Sequence, residues 1–113
     1  MVINGEWLVC NDGVVRPLLR GELQASNSNW ASVIFLVETG ADRTVLSAPV
    51  LAALALPQAI APEQLGGLGG LTEMATVETI LRLTKHDAGK VNFRSQFAAV
   101  TETDALDICV LGR

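Results

Sequence analysis

A chain of 113 residues is the length of one domain and can bury a core without metals or disulfides to hold it. Half of its residues are apolar, 18% are charged and the formal net charge is −4, so it lacks a phosphate-tracking surface; with no basic run interleaved with aromatics, nucleic acid is not an expected partner. So apolar a composition in so small a chain points to surface covered by a partner, and a second copy of the chain fits.

The first twenty residues, MVINGEWLVCNDGVVRPLLR, carry acids and turn formers where a signal peptide needs an unbroken apolar core, so a cytoplasmic location is expected. Within them EWLVC leads into Asn11-Asp12-Gly13, a hairpin turn, and VVRPLLRGELQA returns as the second strand. Ser26-Asn27-Ser28-Asn29 forms the next turn, and WASVIFLV follows as a strand that ends on Glu38. SAPVLAALAL is the one segment that reads as helix. Ser47 is expected to cap its first turn, Pro49 to sit where a missing N–H costs nothing, and Pro57 to end it. The uncharged run from Thr44 to Pro62 is as long as a membrane span, but Pro49, Pro57 and Pro62 divide it, so no spanning helix and no membrane partner are expected.

The second half repeats the strand-and-turn style. GGLGG, residues 66–70, places four glycines in five positions, a segment that bends freely and lets another backbone approach closely. TEMATVETILRLT alternates apolar and polar residues, imperfectly. The turn from Lys85 to Lys90 then returns the chain into VNFRSQFAAV. The predicted class is all-β, a single domain over 1–113 with one short helix.

One stretch interrupts the pattern. In FLVETGADRTVLS, residues 35–47, an apolar strand runs straight into an acid, a Thr-Gly pair and a second acid before turning apolar again. A carboxylate at the end of a buried strand costs free energy unless something pairs with it or uses it. The other candidates are weaker. Cys10 and Cys109 show no CxxC and no His/Cys cluster, so no zinc, redox or other metal site is indicated, and both read as small apolar strand residues. His86 reads as an exposed turn residue beside Asp87, and Asp12 and Asp87 as turn formers. Glu73 and Glu78 read as solvated strand residues. Glu102, Asp104 and Asp107 lack the spacing of a calcium loop. GGLGG is not followed by the Lys-Ser/Thr of a phosphate loop. Trp7 reads as a strand residue that packs or serves a partner surface.

Three separated motifs in register resemble the retropepsin family, the dimeric aspartic proteases of retroviruses and their bacterial relatives. LVETGADRTVLS is similar to the active-site loop, GGLGGLTEMATVETI to the glycine-rich flap hairpin, and ICVLGR to the apolar-Gly-Arg segment near the C-terminus. The likeness spans roughly residues 14 to 113 and leaves 1–13 as an added N-terminal hairpin. It implies a closed acid-protease-like β-barrel, no cofactor, a peptide or protein substrate, and a homodimer in which each subunit gives one catalytic carboxyl. Two carboxyls within about 3 Å cannot both ionise and so share one proton; the charged one activates a water and the neutral one polarises the scissile carbonyl. Transferred to this chain, the resemblance puts Glu38 at the catalytic position and makes Thr39 the hydroxyl that locks the two loops together. It makes Gly40 a backbone group that binds substrate and sets Ala41 beside the acid pair. Asp42 and Arg113 correspond to an ion pair beneath the loop, and Gly67, Leu68 and Gly69 to the flap tip over substrate.

Two departures stand out. The family has Asp where this chain has Glu38. The extra methylene moves each carboxyl out by about 1.5 Å, pressing the pair together or off its shared plane unless the side chains fold back. A misplacement of about 1 Å can cost on the order of a hundredfold in rate, so weakened hydrolysis is expected, with an inactive peptide-binding or dimerisation module as the alternative. Family members also continue past Gly-Arg with a helix and a strand of the dimer sheet, for which the N-terminal hairpin is a candidate substitute; without one, weak dimerisation is expected.

Overall fold

Three polar turns of the same construction set the hairpins from which the barrel is built. In the computed structural model the chain is described over residues 1–67, 70–102 and 108–112, with side chains for these apart from 60–67 and 70–73. The turns are Cys10–Val14, Ala25–Asn29 and Lys85–Gly89. In each, an Asp or Asn side chain accepts the N–H two residues on: Asp12 from Val14 at 3.0 Å, Asn27 from Asn29 at 3.0 Å and Asp87 from Gly89 at 2.9 Å. The next residue takes a positive φ, 81° at Gly13, 68° at Ser28 and 71° at Ala88. This is the three-residue hairpin loop in which a tight turn is followed by one left-handed residue.

The turns join β1 (Glu6–Val9) to β2 (Val15–Gln24), β2 to β3 (Trp30–Val37), and β6 (Gly70–Thr84) to β7 (Lys90–Val100). β4 (Val45–Leu46), α1 (Ala48–Leu54), β5 (Ala59–Gly67) and β8 (Cys109–Leu111) complete the chain. β3 pairs in parallel with β8, β8 antiparallel with β4, and β4 in parallel with β7. The rungs Glu22↔Arg82 and Leu23↔Leu81 then join β6 back to β2. The circuit β2-β3-β8-β4-β7-β6 is a closed six-stranded barrel, with β1 and β5 attached outside it.

Inward residues follow the period of two: Leu19 and Leu23 on β2, Val33 and Phe35 on β3, Val77 and Leu81 on β6 are all buried. Leu51 and Leu54 of α1 pack into the same cluster. Burying a side chain such as Phe35 contributes about 1.5–3 kcal/mol. Outside, Glu22 receives two hydrogen bonds from Arg82, whose guanidinium lies 3.9 Å from the centre of the Trp30 ring.

Several expectations are corrected. The helix runs over Ala48–Leu54 with Pro49 in its first turn, and Ser47 does not cap it by its side chain. The Ser47 carbonyl accepts the N–H of Leu51 at 2.9 Å, while its hydroxyl is turned to the Cys109 sulfur, 3.6 Å away. The helix ends before Pro57, at a left-handed Ala55. β5 covers AIAPEQLGG, a stretch for which the sequence reading names no element, and it carries Pro62 inside it. Its pairing with β6 slips between Ile60 and Gln64, so Pro62 falls where the ladder is interrupted and no N–H is missed. Cys10 lies just beyond β1 rather than in a strand, and Cys109 is the buried strand residue expected. His86 is exposed but not idle, since its Nδ1 meets the Asn4 side-chain amide at 2.9 Å and its N–H donates to the Val2 carbonyl. No helix among the described residues is long and apolar enough to cross a membrane.

Candidate active site

The acid at the end of β3 is held by its own loop and by β8. Past Val37, the N–H of Glu38 donates to the carbonyl of Leu111 at 3.0 Å, extending the ladder by one bond beyond the strand. The Glu38 carbonyl then accepts the N–H of Ala41 at 3.2 Å, closing a turn around Thr39 and Gly40. Inside that turn, the Gly40 N–H donates to Glu38 Oε1 at 3.2 Å, so the longer side chain folds back onto its loop. A charged acceptor strengthens such a bond and fixes the carboxylate's direction. Glu38, Thr39 and Gly40 are exposed and Ala41 is half-buried.

The loop's floor is the Leu111-Gly112 segment at the end of β8. Gly112 N–H donates to Thr44 Oγ1 at 3.3 Å. A Cβ at Gly112 would collide with the backbone carbonyl of Arg43 and lie 2.9 Å from that of Ala41, so only glycine allows the two backbones to pass. Beneath, the Ser47 N–H donates to the Cys109 sulfur at 3.3 Å, and burial pushes that thiol above its ordinary range.

The structure therefore brings Glu38, Thr39, Gly40 and Ala41 together on one tight loop beside Gly112. Asp42 is exposed on the same loop, and its expected pairing with Arg113 lies outside the described residues. So do Leu68 and Gly69, while Gly67 pairs with Gly70 at the end of the β5–β6 hairpin. Gly40, expected to bind substrate through its backbone, uses its N–H on Glu38. Sequence reasoning missed a shallow polar recess of about 310 Å³ lined by Asp42, Arg43, Thr44, Thr76, Ser95 and Gln96, among others. Thr76 belongs to the root of the β5–β6 hairpin, through its rung with Ala59. No spacing in the sequence joins residues 42–44 to 76 and 96; only the β4–β7–β6 pairings do. In chemical terms, one exposed and oriented carboxylate can accept a proton or activate a water, but acid and base together need a second carboxyl.

Residues 26–113 match the model of a protein family described as aspartyl protease. In fold, the chain is similar to the EIAV protease complexed with the inhibitor HBY-793, at 21% identity and a TM-score of 0.61, covering 94% of this chain and 88% of that one. It is also similar to a retropepsin-like aspartic protease from Rickettsia conorii, at 17% identity and a TM-score of 0.59, covering 98% and 84%. No curated protein matches its sequence.

Proposed function

The chain belongs to the aspartyl protease family and has a retropepsin-like barrel, and from that premise we propose that it is a metal-free endopeptidase whose acid pair is two copies of Glu38 meeting across a homodimer. The observation that carries this reading is the Glu38 loop itself, a carboxylate at the end of a barrel strand, exposed and oriented by the Gly40 N–H. Two such carboxyls brought together share a proton and titrate as a unit. The charged member takes a proton from a water, which attacks the scissile carbonyl; the neutral member protonates the developing oxyanion. Thr39 locks the paired loops, Ala41 and Asp42 border the substrate, and the glycine-rich tip at Gly67, Leu68 and Gly69 closes over it. Arg113 supports the loop through Asp42. The free thiols Cys10 and Cys109 accord with a reducing, cytoplasmic setting.

The fold-back of Glu38 onto Gly40 takes up part of the extra methylene, which favours retained but slow hydrolysis. The presence of Glu rather than Asp favours a second reading, a barrel that binds peptides without cleaving them. A peptide-library digest with the chain, Glu38→Asp and Glu38→Gln separates the two. The protease reading expects cleavage that rises with Asp, by up to about a hundredfold, and vanishes with Gln. Three inactive proteins that still bind peptide would replace it with the binding module. A pepstatin-type inhibitor, which mimics the hydrated carbonyl, is expected to bind the Glu38→Asp protein.

A further inference from the structure

Between the N-terminal hairpin and the strand that ends on Glu38 lies a pocket of about 660 Å³, lined by Leu8, Leu18, Leu36 and Ile108, with Asp12 and Arg16 among its polar residues. That volume falls within the roughly 300–1,000 Å³ of small-ligand sites. The rungs Leu8↔Arg16, Glu6↔Leu18 and Leu18↔Leu36 build it, because directly opposed residues share a face and Arg16 and Leu18 follow each other at the strand period of two. The same period carries the face on from Leu36 to Glu38, whose N–H continues the ladder to Leu111. Pocket and acid therefore open on one side of the sheet, about 7 Å apart along the strand. The hairpin wall is also fixed in place: Arg20 Nε donates to Glu6 Oε1 at 2.7 Å, and Asn4 meets His86 at 2.9 Å.

We infer that the N-terminal hairpin sets substrate selectivity, Leu8 walling a pocket that takes a bulky uncharged side chain of the peptide and Asp12 keeping acidic side chains out of it, an inference that rests on Glu38 being the catalytic acid. An extended peptide advances about 3.3 Å per residue, so a side chain within two residues of a bond held at Glu38 reaches Leu36. Leu8 is 44% exposed, an apolar wall that gains by being covered. At the rim, Arg16 donates two hydrogen bonds to Asp12, at 3.1 and 2.8 Å, so the pocket's cation already has its counter-charge. A substrate carboxylate has to displace Asp12, and a substrate ammonium meets a carboxylate that is already engaged. A neutral side chain pays neither cost. Leu8 and Asp12 lie outside residues 26–113, which match the family model, so the selectivity they set belongs to this chain.

The two wall residues act differently. Leu8→Trp fills the pocket and is expected to move the preferred side chain from Phe or Leu to Ala, with about tenfold or more lost for Phe. Leu8→Ala widens it and moves the preference the other way. Asp12→Asn keeps an oxygen to accept the Val14 N–H, so the turn is retained, while Arg16 loses its counter-charge and can take a substrate carboxylate instead. Peptides with Asp or Glu at the pocket position are expected to gain about tenfold or more from that substitution.

The test is a digest of peptides randomised at the two positions on either side of the cleaved bond, by the wild type and by Glu38→Asp protein with and without each substitution. Calorimetric binding of pepstatin-type peptides bearing Phe, Ala or Asp at those positions gives a second readout. Leu8 is exposed, so its variants are expected to melt with the wild type; if Leu8→Trp does not, Leu8→Ala carries the same test. Preferences that shift as stated uphold the inference. Cleavage whose preference does not move with Leu8, even where Leu8→Trp alters self-association, or acidic peptides that gain nothing from Asp12→Asn, overturn it and leave the protease reading standing. No cleavage by any protein, with peptide binding that shifts as stated, upholds the pocket and removes the protease reading. No cleavage and no peptide binding overturn both.

Discussion

Gly112 and Arg43 pass so closely that a Cβ on the former would strike the backbone carbonyl of the latter, and this crossing fixes the height of the loop that carries Glu38. Gly112→Ala must push the two backbones apart, and neither is a flexible side chain that can yield. The expected cost is about 1–3 kcal/mol of stability by denaturant titration. Because the displaced segment is the floor of the Glu38 loop, cleavage by a Glu38→Asp protein is expected to fall further than the loss of folded protein accounts for. Gly21→Ala makes the comparison, since the atoms nearest its Cβ belong to the side chains of Leu83, Leu81 and Phe35 rather than to backbone.

The left-handed residue of the β6–β7 turn is Ala88, at φ 71°, where the equivalent turn between β1 and β2 uses Gly13. A left-handed backbone costs a non-glycine residue roughly 1–2 kcal/mol, partly offset by the extra freedom glycine brings to the unfolded chain. Ala88→Gly is therefore expected to raise stability by about 0.5–1 kcal/mol, read as a higher denaturant midpoint at unchanged slope. An unchanged or lower midpoint would contradict this account of the turn.

Acid sensitivity follows from carboxylates held by arginines, among them Glu6 by Arg20, Glu22 by Arg82 and Asp12 by Arg16. Hydrogen bonds from Arg82 hold Glu22 below its ordinary value of 4.5, and hydrogen bonding from Arg16 brings Asp12 from 3.8 to about 2. Both values are lower in the folded than in the unfolded chain. Each group thus adds stability that is complete above its unfolded value and lost as pH falls toward the folded one. The melting temperature is expected to be flat near neutrality and to drop below about pH 4.5, with Glu22→Gln lower at pH 7 and shallower in its acid decline. Both pairs are partly solvated, so high salt is expected to reduce the effect.

Burial sets the two thiols apart. Cys109 is 2% exposed and its thiol is pushed upward by desolvation, whereas Cys10 is half-buried beside the first turn. Brief alkylation of the native protein at pH 7.5, followed by peptide mass mapping, is expected to label Cys10 and spare Cys109. Equal labelling would mean that the barrel opens at β8.

Much of this architecture was legible in the sequence because its signals are local. Asn11-Asp12-Gly13, the Ser-Asn turn and the Lys85–Lys90 turn carry their own hydrogen-bonding chemistry, and WASVIFLV has the composition of a strand over its whole observed length. The Glu38 loop was legible as an acid placed where an apolar strand ends. What escaped was set by partners far along the chain. β5 exists because β6 offers it an edge, with Pro62 lodged at the slip in register, and Pro62 alone argues for the opposite. Ser47 has the composition and position of a cap, yet its hydroxyl turns to Cys109, 62 residues away. Gly112 needs its missing side chain only because residues 41–43 cross over it. The recess between the loop and Thr76 likewise follows from barrel closure.

The central claim is that the working acid pair takes one Glu38-position carboxyl from each of two chains, and subunit mixing tests it most directly. Glu38→Asp protein is diluted with Glu38→Gln protein at constant total concentration above the dimer dissociation constant, and peptide cleavage is measured after exchange. If both carboxyls are needed, replacing half of the chains leaves about one quarter of the starting rate, because only pairs of two intact chains turn over. A fall to about one half, proportional to the intact chains alone, would show that each chain works by itself and would contradict the shared site.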